Sequence, residues 1–391
     1  MIPIKKGSVL RATITPVNIF KTAAGALLSM SLIACGTAKP APASSEIRTF
    51  SNITVDSGFD TVITLVEQTD DEAAFQSHYR LMCDSFSHYN ALFDIYHDYE
   101  GFNNLKTVND NAGIRPVAVD EELIELLDQA LQFYSLSFGS FDVTLGPVLN
   151  IWHDARTEGI ALNEAGKPGP LPSEASLFAA KAASSPEFLV IDHDLHTVFL
   201  TEKNARIDAG GIAKGFAAEK TARKLEEAGC THAAVNAGGN NRTIGGKADG
   251  STWNVGIQNP DGAGTILILH IDGTCSFVTS GDYERCYLAE DGRMYHHIID
   301  PETCLPADRY RSVTIVTEDS AAADALSTAL FTLPYEEGIK TLEEYTAQTG
   351  KPADAIFVMD PAKKIPAEHS AMTGSYYCVY TEGLKGKITW Q

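Results

Sequence analysis

The sequence predicts an α+β fold in which mixed, largely antiparallel sheets pack with helices in a single large domain. Three observations point there. Strand-type runs outnumber helical ones after residue 190. They are often joined by turns of hairpin length, which favours antiparallel pairing over the crossover helices that a parallel sheet needs. A chain of 391 residues is also long enough to bury a full core. In chain order, SNITVDSGFDTVITLV (51–66) reads as two short strands around a Ser-Gly turn or one bent strand, with Phe59, Asp60 and Thr61 at the bend. Residues 71–97 and 120–138 carry apolar positions at helical spacing, the second opening on an acidic turn that suits the helix dipole. The Gly/Pro-rich stretch at 163–175 reads as a surface loop, and FLVIDHDLHTVFL (188–200) as a hairpin split by a polar turn. DAGGIAKGFAAEK (208–220) is a glycine turn into an amphipathic helix. Strand runs follow at 232–236, 252–258, 265–271, 274–279 and 312–317, with helices at 319–332 and 334–347.

The start of the chain differs from the rest. Lys5, Lys6, Arg11 and Lys21 accompany an apolar run, TAAGALLSMSLIAC, that is too short to span a bilayer, which is the pattern of a secretory signal. Leu32-Ile33-Ala34-Cys35 resembles the lipobox of bacterial lipoproteins, whose cysteine is diacylated and becomes the mature N-terminus. The alternative is an ordinary cleaved signal with an incidental cysteine. The expected division is a lipoprotein signal peptide over 1–34, a lipid-anchored flexible tether over 35–48 and one catalytic domain over 49–391. The expected location is the cell membrane, anchored by lipid on the extracytoplasmic face.

A formal net charge of −21 repels a nucleic-acid backbone over most of the surface, so no nucleic-acid partner is expected. A local pocket of backbone N–H groups with a lysine or a metal can still hold a small anion. Beyond Cys35, six cysteines show no C-x-x-C spacing and therefore give little support for zinc; buried free thiols are the simpler reading.

Four stretches could carry chemistry. DAGGIAKG offers close backbone approach at Gly210 and Gly211, free N–H groups at a helix start and Lys214 one turn in, though a plain strand-to-helix turn explains it equally well. NAGGNNRTIGG (236–246) repeats the paired glycines with asparagine, again compatible with a structural turn. In the stretch from Ser280 to Ala307 a hairpin turning at Glu290-Asp291-Gly292 puts Tyr295, His296 and His297 on alternating faces of the return strand, so one histidine at most reaches a given pocket. In SVTIVTEDSAAADALSTALFTL (312–333), Asp324 and Thr328 share one helix face among Ala and Leu. Such oxygen donors suit magnesium; the alternative is an exposed face with a cap at Asp319.

In this order and combination the chain resembles the ApbE family, the FAD:protein FMN transferases, over roughly residues 50–360. The resemblance rests on GSFDVTLGPVLNIW (139–152), DAGGIAKGFA (208–217), NAGGN (236–240), SGDYER…YHHIIDPETC (280–304) and ADALSTAL (323–330). One departure is Thr303-Cys304, where the family usually has Thr-Gly. The resemblance implies an ApbE-like, T-fold-type catalytic domain. It also implies cleavage of FAD, attachment of FMN by a phosphoester to a Thr or Ser of an acceptor protein, and release of AMP. Carried over, Asp324 and Thr328 would bind Mg²⁺ together with Gly211, and Asp208, Lys214 and Ile298 would line the FAD site. His297 would be the base for the acceptor hydroxyl, while Phe59, Thr107 and Asn109 would touch the flavin nucleotide. Partners would be FAD and extracytoplasmic acceptor proteins. Two alternatives use the same residues: a metal-dependent FAD pyrophosphatase yielding FMN and AMP, and a flavin-binding lipoprotein without catalysis.

Overall fold

The computed structural model describes residues 46–391. The expected signal peptide, Cys35 and most of the expected tether lie outside the described residues. Seventeen strands and eight helices follow in the described chain. The strands are β1 Arg48–Thr54, β2 Ile63–Thr69, β3 Val117–Ala118, β4 Leu189–Asp192, β5 Thr197–Leu200, β6 Ala233–Ala237, β7 Asn240–Ile244, β8 Trp253–Gln258, β9 Thr265–Ile271, β10 Ser276–Gly281, β11 Tyr287–Leu288, β12 Met294–Tyr295, β13 Ser312–Thr317, β14 Ala353–Met359, β15 Ser370–Thr373, β16 Tyr376–Tyr380 and β17 Ile388–Trp390. The helices are α1 Glu72–Phe93, α2 Leu105–Asp110, α3 Glu121–Leu136, α4 Gly146–Glu164, α5 Glu174–Lys181, α6 Ala213–Glu227, α7 Ser320–Thr332 and α8 Tyr335–Thr349.

A nine-stranded sheet in the order β1-β2-β6-β7-β10-β13-β14-β16-β15 is antiparallel at every pairing. Because successive side chains on a strand point to opposite faces, its central strands feed two cores. Val313 and Ile315 of β13, with Ala355 and Phe357 of β14, join the helix-side core that includes Phe216, Leu326 and Leu330. Val316, Ile356 and Val358 point the other way and pack on the small sheet β17-β9-β8 through Trp253, Leu267 and Leu269. The fold is therefore the α+β arrangement expected, with helices on one face of the sheet and a small sheet on the other. A satellite cluster of Leu145, Val148, Trp152, Tyr287, Ile299 and Cys304 joins α4 to the β11–β12 hairpin.

Several local expectations need correction. The first helix stops at Phe93, where Asp94 leaves helical geometry and its carboxylate accepts from the N–H groups of Tyr96 and His97. The 236–246 stretch is more than a turn, since β6 and β7 pair across it. The loop expected at 163–175 gives up both ends, to α4 and to α5. Cys304 keeps the left-handed backbone (φ 59°) that explains a glycine at this position; its N–H donates to Asp300 O and its carbonyl accepts from Trp152 Nε1.

Candidate functional site

The helix start at α6 and the acid of α7 are locked together first. Gly215 packs against the Ser320 carbonyl, and a Cβ there would come within 2.6 Å of Asp324 Cβ, so only glycine allows the two helices this approach. The approach lets the Gly215 N–H donate to Asp324 Oδ2 at 2.8 Å, while Lys214 Nζ stands 4.0 Å from Oδ1. Asp324 is only 4% exposed, and burial pushes its carboxyl above the usual range against the opposing pull of Lys214 and the Gly215 N–H. One turn on, Thr328 faces Gly211, whose Cβ position lies 3.3 Å from Thr328 Oγ1.

These groups open onto a cleft of about 1550 Å³. Phe59, Asp208, Gly211, Lys214, His297, Ile298, Asp324 and Thr328 all line it. Thr107 and Asn109 do not line it, which corrects their expected contact with a flavin. Thr107 closes the capping box of α2 with Asn104. Buried Asn109 donates from Nδ2 to Ile207 O at 3.0 Å and accepts from Ile207 N at 2.7 Å, so it fixes the strand of backbone that delivers Asp208.

The return strand β12 ends at Tyr295, so His296 and His297 lie beyond it rather than on alternating strand faces, yet their side chains still part. His296 is buried, its Nε2–H donating to Ala307 O at 2.7 Å and its Nδ1 accepting from Ile298 N–H, which satisfies the ring internally. His297 faces the cleft with Nδ1 3.2 Å from Glu284 O. If Nδ1–H donates there, Nε2 keeps a free lone pair. Burial first, then the charges of Arg285, His296, Arg156 and Lys214, push its pKa down to about 3, so the ring is neutral at ordinary pH.

The cleft rim holds unusual backbone. Gly58, Phe59 and Asp60 are consecutive left-handed residues (φ 99°, 59° and 47°). Asn90 holds them by accepting from Phe59 N at 2.7 Å, and a side chain at Gly58 would collide with it. Left-handed non-glycine residues cost on the order of 1–3 kcal/mol each, a cost that clusters at ligand sites.

Arg156 and Arg285 also line the cleft and were not foreseen. Burial and the charge of Arg285 both work against the charge on Arg156, a stress that a bound anion would relieve. A signal for Arg156 existed: Leu149, Trp152, His153 and Arg156 recur at helical spacing, and all four line the cleft from α4. Chemically, the cleft combines hard oxygen donors, cationic side chains and a neutral imidazole, a set suited to phosphoryl transfer.

Comparison with known proteins gives the family and the fold. The sequence model of the ApbE family matches residues 58–350. The FAD:protein FMN transferase of Treponema pallidum is 36% identical over 283 residues, covering 67% of this chain and 72% of that protein. The FAD:protein FMN transferase of Klebsiella pneumoniae is 32% identical over 255 residues, 64% of this chain and 73% of that one. Among solved structures, the ApbE protein of Thermotoga maritima superposes with a TM-score of 0.66 at 28% identity, covering 79% of this chain and 94% of that chain. The flavin transferase ApbE of Vibrio cholerae, 23% identical with a TM-score of 0.65 over 87% of this chain and 98% of that one, shares the fold.

Proposed function

The chain belongs to the ApbE family of flavin transferases, and we propose that it is a Mg²⁺-dependent FAD:protein FMN transferase. On this reading it cleaves FAD between the two phosphates, joins FMN by a phosphoester to a Thr or Ser hydroxyl of an acceptor protein, and releases AMP. The observation that carries the reading is the meeting of Asp324, Thr328 and Gly211 beside Lys214 and His297, five residues from three separate stretches of sequence, in one cleft.

The donor set fits magnesium. Asp324 offers a carboxylate oxygen, Oδ1, whose nearest cation is Lys214 at 4.0 Å, and Thr328 offers a hydroxyl one helical turn away; both are hard oxygen donors with open cleft beyond them. When bound, the ion supplies charge neutralisation for the pyrophosphate. Lys214, Arg156 and Arg285 bring positive charge to the same anion, and the N–H groups at the start of α6 lie beside it. His297, neutral and with Nε2 free, takes the proton of the attacking hydroxyl as its oxygen bonds to the FMN phosphorus. The phosphoanhydride bond breaks in the same step, and AMP leaves with the bridging oxygen.

The acceptor is, on this reading, an extracytoplasmic protein, and the chain is held at the outer face of the membrane by lipid on Cys35; the lipobox-like sequence supports this. The test of function is incubation with FAD, Mg²⁺ and a candidate acceptor, read by intact mass. The expected result is an acceptor heavier by one FMN with stoichiometric AMP. Free FMN and AMP beside an unmodified acceptor would make the chain a pyrophosphatase, and tight FAD binding without any product would make it a binding protein.

A further inference from the structure

A second group of reactive side chains is buried inside the molecule, apart from the residues that line the cleft. Glu67 of β2 lies on the strand face opposite to Val66 and Gln68, which line the cleft. With His78 of α1 and Cys230 of the segment joining α6 to β6, its ligand atoms fall within 4.8 Å of one another, and all three residues are buried. His78 Nδ1 stands 2.9 and 3.0 Å from the two Glu67 oxygens, while Nε2 stands 3.3 Å from the carbonyl of Ala228 at the C-terminal end of α6.

Both ring nitrogens therefore face acceptors. A neutral imidazole has one N–H, so one of these pairings would set a lone pair against oxygen among buried groups, which is costly. A second proton or a cation must stand between His78 and Glu67. Cys230 belongs to the same group: it is buried, and its Sγ lies within 4.8 Å of the ligand atoms of Glu67 and His78.

We propose that Glu67, His78 and Cys230 form a zinc site, with one carboxylate oxygen, Nδ1 and Sγ as ligands and Nε2–H held by Ala228. The exchange balances. Without metal, one proton lies between Nδ1 and the Glu67 oxygens and one on the thiol. Zn²⁺ entering displaces the Nδ1 and thiol protons, and its two charges are met by carboxylate and thiolate, so the buried site stays neutral in both forms. Mixed N, S and O donors select zinc over magnesium, and three protein ligands leave one position for water. The carbonyl on Nε2–H is the outer partner that a metal-bound histidine ordinarily has. The ligands come from three elements, which is why no C-x-x-C spacing announces the site. The ion would tie β2, α1 and the end of α6 together at the opposite end of the helix from Lys214, giving a structural role independent of the transferase reading.

The test uses the full chain, stripped with chelator and reloaded with Zn²⁺ or Co²⁺ alone as the probe, with Mg²⁺ in excess at the Asp324 site. The expected results are one zinc retained per chain through desalting, a higher thermal midpoint with zinc, and thiolate-to-cobalt absorption in the near ultraviolet. All three are lost in Cys230→Ser, with flavin transfer unchanged. Absence of the cobalt absorption from the unmutated chain overturns the proposal, whether or not the variant folds. Equal zinc retention by Cys230→Ser, or loss of zinc in Asp324→Ala instead, does the same.

Discussion

Asp324 is held where a carboxylate is poorly solvated, and its stabilising partners, Lys214 at 4.0 Å, the Gly215 N–H and the Asn240 side chain, do not offset the burial. On the proposed function its charge serves chemistry at the expense of stability. Asp324→Asn should lower flavin transfer by at least about 100-fold while leaving the thermal midpoint equal or higher, because the amide still accepts from Gly215 N–H and the buried charge is gone; a loss of activity that tracks a loss of folding would contradict this. His297 has the opposite logic. Its pKa in the fold, about 3, lies below the ordinary 6.5, so as pH falls the unfolded chain takes up a proton before the folded one does. The contribution to stability is full above about pH 6.5 and drains away toward pH 3. His297→Gln should flatten stability over that window, measured by denaturant midpoints at several pH values, and should reduce transfer by roughly 10²–10⁴-fold. Both residues were legible in the sequence. Arg156 is harder to read, because Gly146-Pro147 and the polar residues of α4 mask the helical spacing that carries it.

At the scale of elements the cleft depends on how closely α6 and α7 approach, and Gly215 sets that distance. Gly215→Ala forces a methyl against the Ser320 carbonyl and Asp324 Cβ. Overpacking of this kind costs about 1–3 kcal/mol and would shift the Asp324 carboxylate relative to Thr328. The expected outcome is a lower denaturant midpoint together with an apparent Mg²⁺ requirement raised more than that for FAD; a midpoint that drops with no change in the Mg²⁺ requirement would show that the approach serves packing alone. Elements with clear periodicity or caps were readable: α3 opens on acids, α7 starts at Asp319, whose carboxylate accepts from Ala322 N–H, and the β4–β5 hairpin falls where the polar turn predicts. Those missed have physical reasons. In α4, Gly146-Pro147 reads as a turn, yet proline is tolerated in the first turn of a helix, and polar residues dilute its apolar stripe. β7 is mostly polar, and its burial comes from the sheet around it: Arg242 donates from Nε to Glu219 Oε2 at 2.8 Å, and Thr243 Oγ1 to Gly273 O.

For the molecule as a whole, pattern alone could supply the layer class but not the strand order, because β2 pairs with β6 across more than 160 residues of chain, a distance no local signal spans. That long-range closure also decides how ligands should act on stability. The cleft gathers Phe59 from the β1–β2 connection, Arg156 from α4, Lys214 from α6, His297 from the β12–β13 connection and Asp324 from α7, so a ligand filling it contacts elements far apart in the chain and opposes global unfolding. On the proposed function FAD, an anion, would meet the Asp324 carboxylate on a chain of net charge −21, and Mg²⁺ alone would lack the phosphate oxygens that complete its coordination. Each ligand should therefore bind weakly alone and more tightly with the other. Saturation to about 100 times the dissociation constant adds roughly 2.7 kcal/mol to stability. Thermal midpoints measured with FAD, with Mg²⁺ and with both should show a joint rise larger than the sum of the separate ones, and Asp324→Asn should abolish that excess. Strictly additive shifts in the unmutated protein would mean that cation and nucleotide occupy unconnected sites, and the arrangement around Asp324 and Thr328 would then need another explanation.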